Sequence, residues 1–99
     1  MKIEFLEAAK EEFEEAIEYY EIQQKGLGLR FNTEVKRALQ RIFLNPYMYP
    51  IVSESIRRCI LHTFPYSIFY TVLEDEKVIL ILAIAHHHRR PFYWEDRFS

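Results

Sequence analysis

The strongest constraint in this sequence is a change of hydrophobic period at Asn45-Pro46. Before it, apolar residues return every three or four positions; after it, they alternate or run on unbroken. From Leu6 the apolar set is Leu6, Ala9, Phe13, Ala16, Ile17 and Tyr20, a stripe about 100° wide on a helix. Gly26-Leu27-Gly28 interrupts it, as glycine does where a helix ends and the chain turns. A second helical set follows in Leu27, Phe31, Val35, Ala38, Leu39 and Ile42. It stops at Asn45-Pro46, because the residue before proline is pushed out of helical geometry. Residues 46–55 carry two prolines and no period, which predicts a loop. Beyond them, β-branched and aromatic runs predict strands at 56–63, 66–73 and 78–85, the last pair joined by Glu74-Asp75-Glu76-Lys77. Connections this short make consecutive strands antiparallel neighbours. Residues 78–85 are apolar on both faces and belong deep in the sheet, whereas residues 2–5 alternate and read as a short, half-buried strand. The expectation is an α+β fold, a single domain over 1–99, with a short N-terminal strand, an αα-hairpin and a three-stranded antiparallel meander. The helices pack on one face of the sheet.

Composition removes several function classes. With 49% hydrophobic and 16% aromatic residues in 99, the chain is not disordered. At this length a domain buries roughly 60 to 70% of its unfolded surface, enough for one core without disulfides. One cysteine, Cys59, makes no internal bridge and fits a reducing compartment. The first sixteen residues contain no long apolar run, and the longest such stretch anywhere, 78–85, falls far short of the about 20 residues a membrane helix needs. A cytoplasmic protein that does not enter a membrane is expected. Net charge is -2, but unevenly spread: residues 1–24 hold eight acids and two bases, and residues 25–99 seven acids and eleven bases. A pI near 6.1, set against values above about 9 in duplex-binding domains, argues against specific DNA binding by this chain alone.

The groups able to do chemistry lie late in the chain. Glu7, Glu11, Glu14, Glu15, Glu18 and Glu21 form an acidic helix face, read as solvated. Arg30, Arg37 and Arg41 form a ridge on the second helix beside Glu34, explained by intrahelical pairing or by a partner surface. In the first strand of the meander, Arg58 and His62 share a face with Ile60, and Arg57 lies on the other. His86 and His88 share a face, but zinc needs three or four ligands, and Cys59 is 27 residues away; no metal and no cofactor are expected. Cleaving RNA needs a base, an acid and cations for the phosphorane, roles that His62, His87, Arg58, Arg89 and Tyr93 can fill if they converge. No nucleophile elbow, phosphate-binding loop or zinc-protease motif is present. Cys59, between apolar strand positions, reads as a small buried hydrophobe, and Trp94 as a core residue that ties down the tail.

Together these residues resemble the RelE/ParE superfamily of toxins from type II toxin-antitoxin modules, closer to its ParE-like, plasmid-stabilisation branch. The resemblance runs through Gly26-Leu27-Gly28, Arg30-Phe31, Glu34-Val35, Asn45-Pro46 and Pro50. It continues through Ile56-Arg57-Arg58, Leu61, Phe64-Pro65-Tyr66, Ile68, Tyr70 and Val72 to Ala85-His86, Arg89, Pro91 and Tyr93-Trp94. It implies a toxin held inactive by a cognate antitoxin, whose C-terminal segment covers the helical hairpin and part of the sheet; Arg57, Arg58, Arg30, Arg37 and Arg41 are the candidate antitoxin contacts. ParE-like members inhibit DNA gyrase, which makes Arg89, Arg90, Phe92, Tyr93 and Trp94 the candidate target-binding residues. RelE-like members are ribosome-dependent mRNA endonucleases, and under that alternative Arg58, His62, His87 and Tyr93 are the catalytic candidates. Ile60 and Ser67 stand where those enzymes often carry Lys and Arg, which favours the gyrase reading. A third alternative is an inactive member that only binds antitoxin and co-represses.

Overall fold

In the computed structural model, which describes residues 1–98, the two helical stripes form α1 (Glu7–Gln23) and α2 (Leu27–Leu44). Their junction depends on two glycines. Gly26 adopts φ 89°, the left-handed region that glycine enters without a Cβ penalty. At Gly28 a Cβ would lie 2.6 Å from the Ile17 carbonyl oxygen, so glycine alone lets the helices approach this closely. Glu21, read from sequence as part of a solvated face, accepts the amides of Gly26 (2.9 Å) and Gly28 (3.1 Å). A carboxylate there satisfies orphan donors and meets the positive end of the α2 dipole. α2 ends at Leu44 and is capped by Asn45, immediately before Pro46, as the sequence predicts.

The α+β class agrees with the expectation, and the N-terminal strand and three-stranded meander, with one further strand, form a five-stranded sheet. β1 (Lys2–Phe5), β2 (Ile51–Ser53), β3 (Ile56–Ile60), β4 (Tyr66–Leu73) and β5 (Val78–His86) lie in the order β1-β5-β4-β3-β2. β2 arises inside the segment expected to be a loop, where Ile51 and Ser53 pair antiparallel with β3. β1 pairs parallel with β5, from Lys2 opposite Val78 to Phe5 opposite Ile81, which encloses β5 between neighbours at its start. β3 stops at Ile60, three residues early, because Glu34 reaches across from α2. Its carboxylate accepts the amides of His62 (2.9 Å) and Thr63 (3.0 Å) and the Thr63 hydroxyl. Burial pushes the Glu34 carboxyl up, but these bonds and the nearby His62 outweigh it and leave its pKa below the usual value. Glu34 thus ties helix to sheet, instead of pairing along its own helix.

The two faces of the sheet are covered differently. Both helices lie on one face, where Phe31, Val35, Ala38 and Ile42 meet Cys59, Ile68, Tyr70, Ile79 and Ile81. Each large apolar side chain buried here contributes about 1.5 to 3 kcal/mol. On the open face, Ile56, Leu82, Ala83, Ala85 and Trp94 form a second, smaller cluster. A register shift makes room for it: Phe69 faces Ala83 and Tyr70 faces Ile81, so Leu82 is a bulged extra residue. The chain beyond β5, closing with a single 3-10 turn at Glu95–Arg97, crosses this open face.

Candidate functional site

Between the open face and the exit segment lies a cleft of about 530 Å³. The sheet contributes Arg58, Ile60 and Ser67 to it, and the exit segment contributes His87, Arg90 and Phe92. Its floor is Phe69 stacked on Trp94, with ring centroids 4.4 Å apart and 28° between planes. Arg58 reaches the cleft because its strand neighbours Arg57 and Cys59 turn to the helix side. Its Nε is buried with no hydrogen-bond partner, an uncommon state for so strong a donor. Ser67, opposite Ile60 across the strands, has its hydroxyl 3.0 Å from His87 Nε2. Phe92 adopts φ 61° and is 47% exposed. The cleft therefore has an aromatic floor and a rim of cations and imidazole, and carries no carboxylate among its lining residues.

Of the four nuclease candidates, Arg58, His87 and Tyr93 line the cleft and His62 does not. His62 sits in the turn after β3 beside Glu34, outside the cleft lining. The Tyr93 hydroxyl donates to Glu12 Oε2 at 2.5 Å, and Arg89 lies over its ring at 3.9 Å. Burial, the bond to Glu12 and the charge of that carboxylate push the Tyr93 phenol well above its ordinary pKa, against the demands of a general acid or base. Arg58 and His87 share the cleft lining with Tyr93, whose hydroxyl is engaged by Glu12.

The other candidates divide by position. Arg89, Arg90 and Phe92 are exposed, while Trp94, at 2% exposure, is the anchor of the exit segment and its ring is withheld from solvent, as its core reading predicted. Of the five candidate antitoxin cations, Arg30 and Arg37 lie exposed on α2. Arg57 is committed to the loop before β2, donating to the carbonyls of Tyr47 (3.0 Å) and Tyr49 (2.7 Å). Arg41 donates to the Tyr49 hydroxyl at 3.4 Å and borders Cys59, whose thiol burial pushes up in pKa. Among the described residues no group of three or more His, Cys, Asp or Glu is positioned to hold a metal ion. The histidines instead contact one another: His86 Nδ1 accepts the His88 amide, and burial, then His88 and His87, hold the His86 pKa low.

Sequence reasoning missed Glu12 and Arg97. Past Ile81, β5 loses β1 as a neighbour and its edge needs other partners. Glu12 on α1 accepts the Ile84 amide at 3.1 Å, and Arg97 donates to the Leu82 carbonyl at 3.0 Å. The two side chains also pair with each other, at 2.9 and 3.0 Å. Nothing in the sequence distinguishes Glu12 from the seven other acids of residues 1–24; only the missing strand neighbour does.

The family model described as the ParE toxin of the type II toxin-antitoxin system, parDE, matches residues 3–91. The chain belongs to the ParE toxin family. No curated protein matches it. Among solved structures, this ParE-family chain is similar to one from the chromosomal ParDE toxin-antitoxin system of P. aeruginosa. That match has a TM-score of 0.75 and 17% identity, covering 87% of this chain and 95% of the other. The isolated E. coli RelE toxin matches with a TM-score of 0.68 and 17% identity, covering 96% of this chain and 93% of that one. At such identities the likeness concerns the fold. As a ParE-family toxin, the chain has a cognate antitoxin as its implied partner. No helix among its described residues is long and apolar enough to cross a membrane.

Proposed function

We propose that this ParE-family toxin acts in the cytoplasm by inhibiting DNA gyrase, and that its antitoxin neutralises it by covering the open-face cleft. The observation that carries this reading is the engagement of the acid-base set a ribonuclease needs: Tyr93 lines the cleft but its hydroxyl is tied to Glu12, and His62 lies outside. Ile60 and Ser67 also leave the cleft without two of the cations that RelE-like enzymes often carry at those strand positions, although Arg58, Arg89 and Arg90 line it. Arg89, Arg90 and Phe92, exposed on a segment anchored by Trp94, are the target contacts. Arg58, with its unpaired Nε above an aromatic floor, is the antitoxin contact in the cleft, suited to an acidic segment with aromatic residues. Arg30 and Arg37, exposed on α2 on the helix side, are a separate antitoxin contact.

The test is pulse labelling of DNA and protein synthesis after induction without antitoxin, followed by a supercoiling assay with purified gyrase. DNA synthesis should fail first, and the purified protein should block supercoiling. Arg89→Ala with Arg90→Ala should abolish both effects. Collapse of protein synthesis within minutes, with replication continuing, would overturn the gyrase target in favour of ribosome-dependent cleavage built on Arg58, Ser67 and His87, whose 3.0 Å contact is the one feature that favours it. Absence of growth arrest would leave antitoxin binding and co-repression as the remaining activity.

A further inference from the structure

We infer that Glu12 is the positioning residue of the exit segment: from α1, its carboxylate holds residues 93–97 on the open face and so sets the surface that Arg89, Arg90 and Phe92 present. The functional half of this inference rests on the reading of the exit segment as the target-binding element. Three observations carry it. The first is concentration of partners on one group: Glu12 binds the Ile84 amide, the Tyr93 hydroxyl and both terminal nitrogens of Arg97. Arg89 NH1 lies a further 3.8 Å from it. Its side chain is only 13% exposed, where charge-assisted bonds are strong and a lost partner is costly.

The second is that the carboxylate and guanidinium together occupy the place of an absent strand. A strand would give the β5 edge one acceptor for Ile84 N–H and one donor for Leu82 C=O; Glu12 supplies the first and Arg97 the second. Docking of the tail and closure of the sheet edge are therefore one event. The third is that the segment does not hold its own shape. Phe92 stands at φ 61°, a left-handed conformation unfavourable for a bulky residue, which persists only when its surroundings enforce it. Enforcement comes from Tyr93 and Arg97 on either side of Trp94, both bound to Glu12.

Trp94 is the sole tryptophan and is buried in this segment, so its emission reports docking directly. In Glu12→Gln, which keeps the size but removes the charge, Trp94 emission should shift to the red and acrylamide quenching should rise several-fold, with the far-UV circular dichroism retained. Arg97→Gln should give the same shift, and the double variant should add little, because the pair acts as a unit. The dose needed for growth arrest should rise about tenfold or more in all three, the effect of an opening cost of about 1.4 kcal/mol. A folded Glu12→Gln protein with Trp94 still shielded would overturn the inference. So would one with Trp94 exposed and growth arrest at the wild-type dose. Should Glu12→Gln fail to fold, Arg97→Gln, at the chain's end, makes the same test. If the wild-type protein leaves gyrase untouched while growth arrest still depends on Glu12 and Arg97, the gyrase target fails and the positioning role stands.

Discussion

The two faces of the sheet are held by different physics. On the helix side, the fully buried Phe31 ring lies 4.9 to 6.1 Å from the buried or partly buried rings of Phe13, Tyr20, Phe64 and Tyr66. Attraction there is apolar, spread over many contacts, and insensitive to the loss of any one orientation. On the open side, one indole stacks on one phenyl ring, and one carboxylate fixes the segment that carries it. Stability is distributed on the first face and concentrated on the second. A region whose docking rests on few, directional contacts opens at lower cost than the rest of the fold, a property that suits the partner-binding role proposed for this face.

That contrast can be broken at several points. Phe31→Ala should cost about 3 to 5 kcal/mol in urea unfolding, the range for deleting a fully buried aromatic side chain. Trp94→Ala, equally buried, should cost no more than about 2 kcal/mol, because the segment can leave the sheet while the helix side stays folded. Equal losses at the two positions would show that both faces unfold as one unit. Arg58→Ala should leave stability within about 0.5 kcal/mol, since its Nε has no partner to lose. The same change should weaken antitoxin binding about tenfold by calorimetry, or about 1.4 kcal/mol; unchanged affinity would remove Arg58 from that interface.

The smallest effect at neutral pH is an alkaline one shared by both faces, since burial raises Tyr93 on the open side as well. Burial, the largest cause in each case, pushes the phenols of Tyr66 and Tyr70 on the helix side up to about 12. Tyr70 also donates to the Pro46 carbonyl at 2.7 Å, a bond only the neutral form makes. In the unfolded chain these groups ionise near 10, so the stability they give is complete below about pH 10 and is lost as pH rises toward 12. The urea midpoint should hold from pH 7 to 9 and then fall, and Tyr70→Phe should flatten the fall. A midpoint indifferent to alkali would show that neither phenol is held neutral by the core.

Much of the helix side was legible in the sequence, because its signals are local. The period of Phe31, Val35 and Ala38, the Gly26-Leu27-Gly28 break and the Asn45-Pro46 stop act over a few residues each, and the helices follow them. β2 was illegible: three residues between Pro50 and a turn with Glu54 at φ 49° are too few to show a period of two. The early end of β3 was equally hidden, because Glu34 acts across 28 residues. In the candidate site, Arg58 and Arg90 were visible as chemistry, and Trp94 as an anchor. The ties of Tyr93 to Glu12 and of Arg57 to the loop at Tyr47 were not. A charged side chain does not announce in sequence whether its partner is solvent, a carbonyl or another chain.

The parallel pairing of β1 with β5 bears on how the molecule comes into being. Lys2 lies opposite Val78, and Glu12 waits for Ile84, Tyr93 and Arg97. At 5 to 20 residues added per second, the first strand is made about 4 to 15 seconds before the strand it pairs with. A nascent chain stopped before β5 lacks the strand that joins β1 to β4, so the N-terminal strand has no partner and the sheet closes only when residues 78–86 have been made.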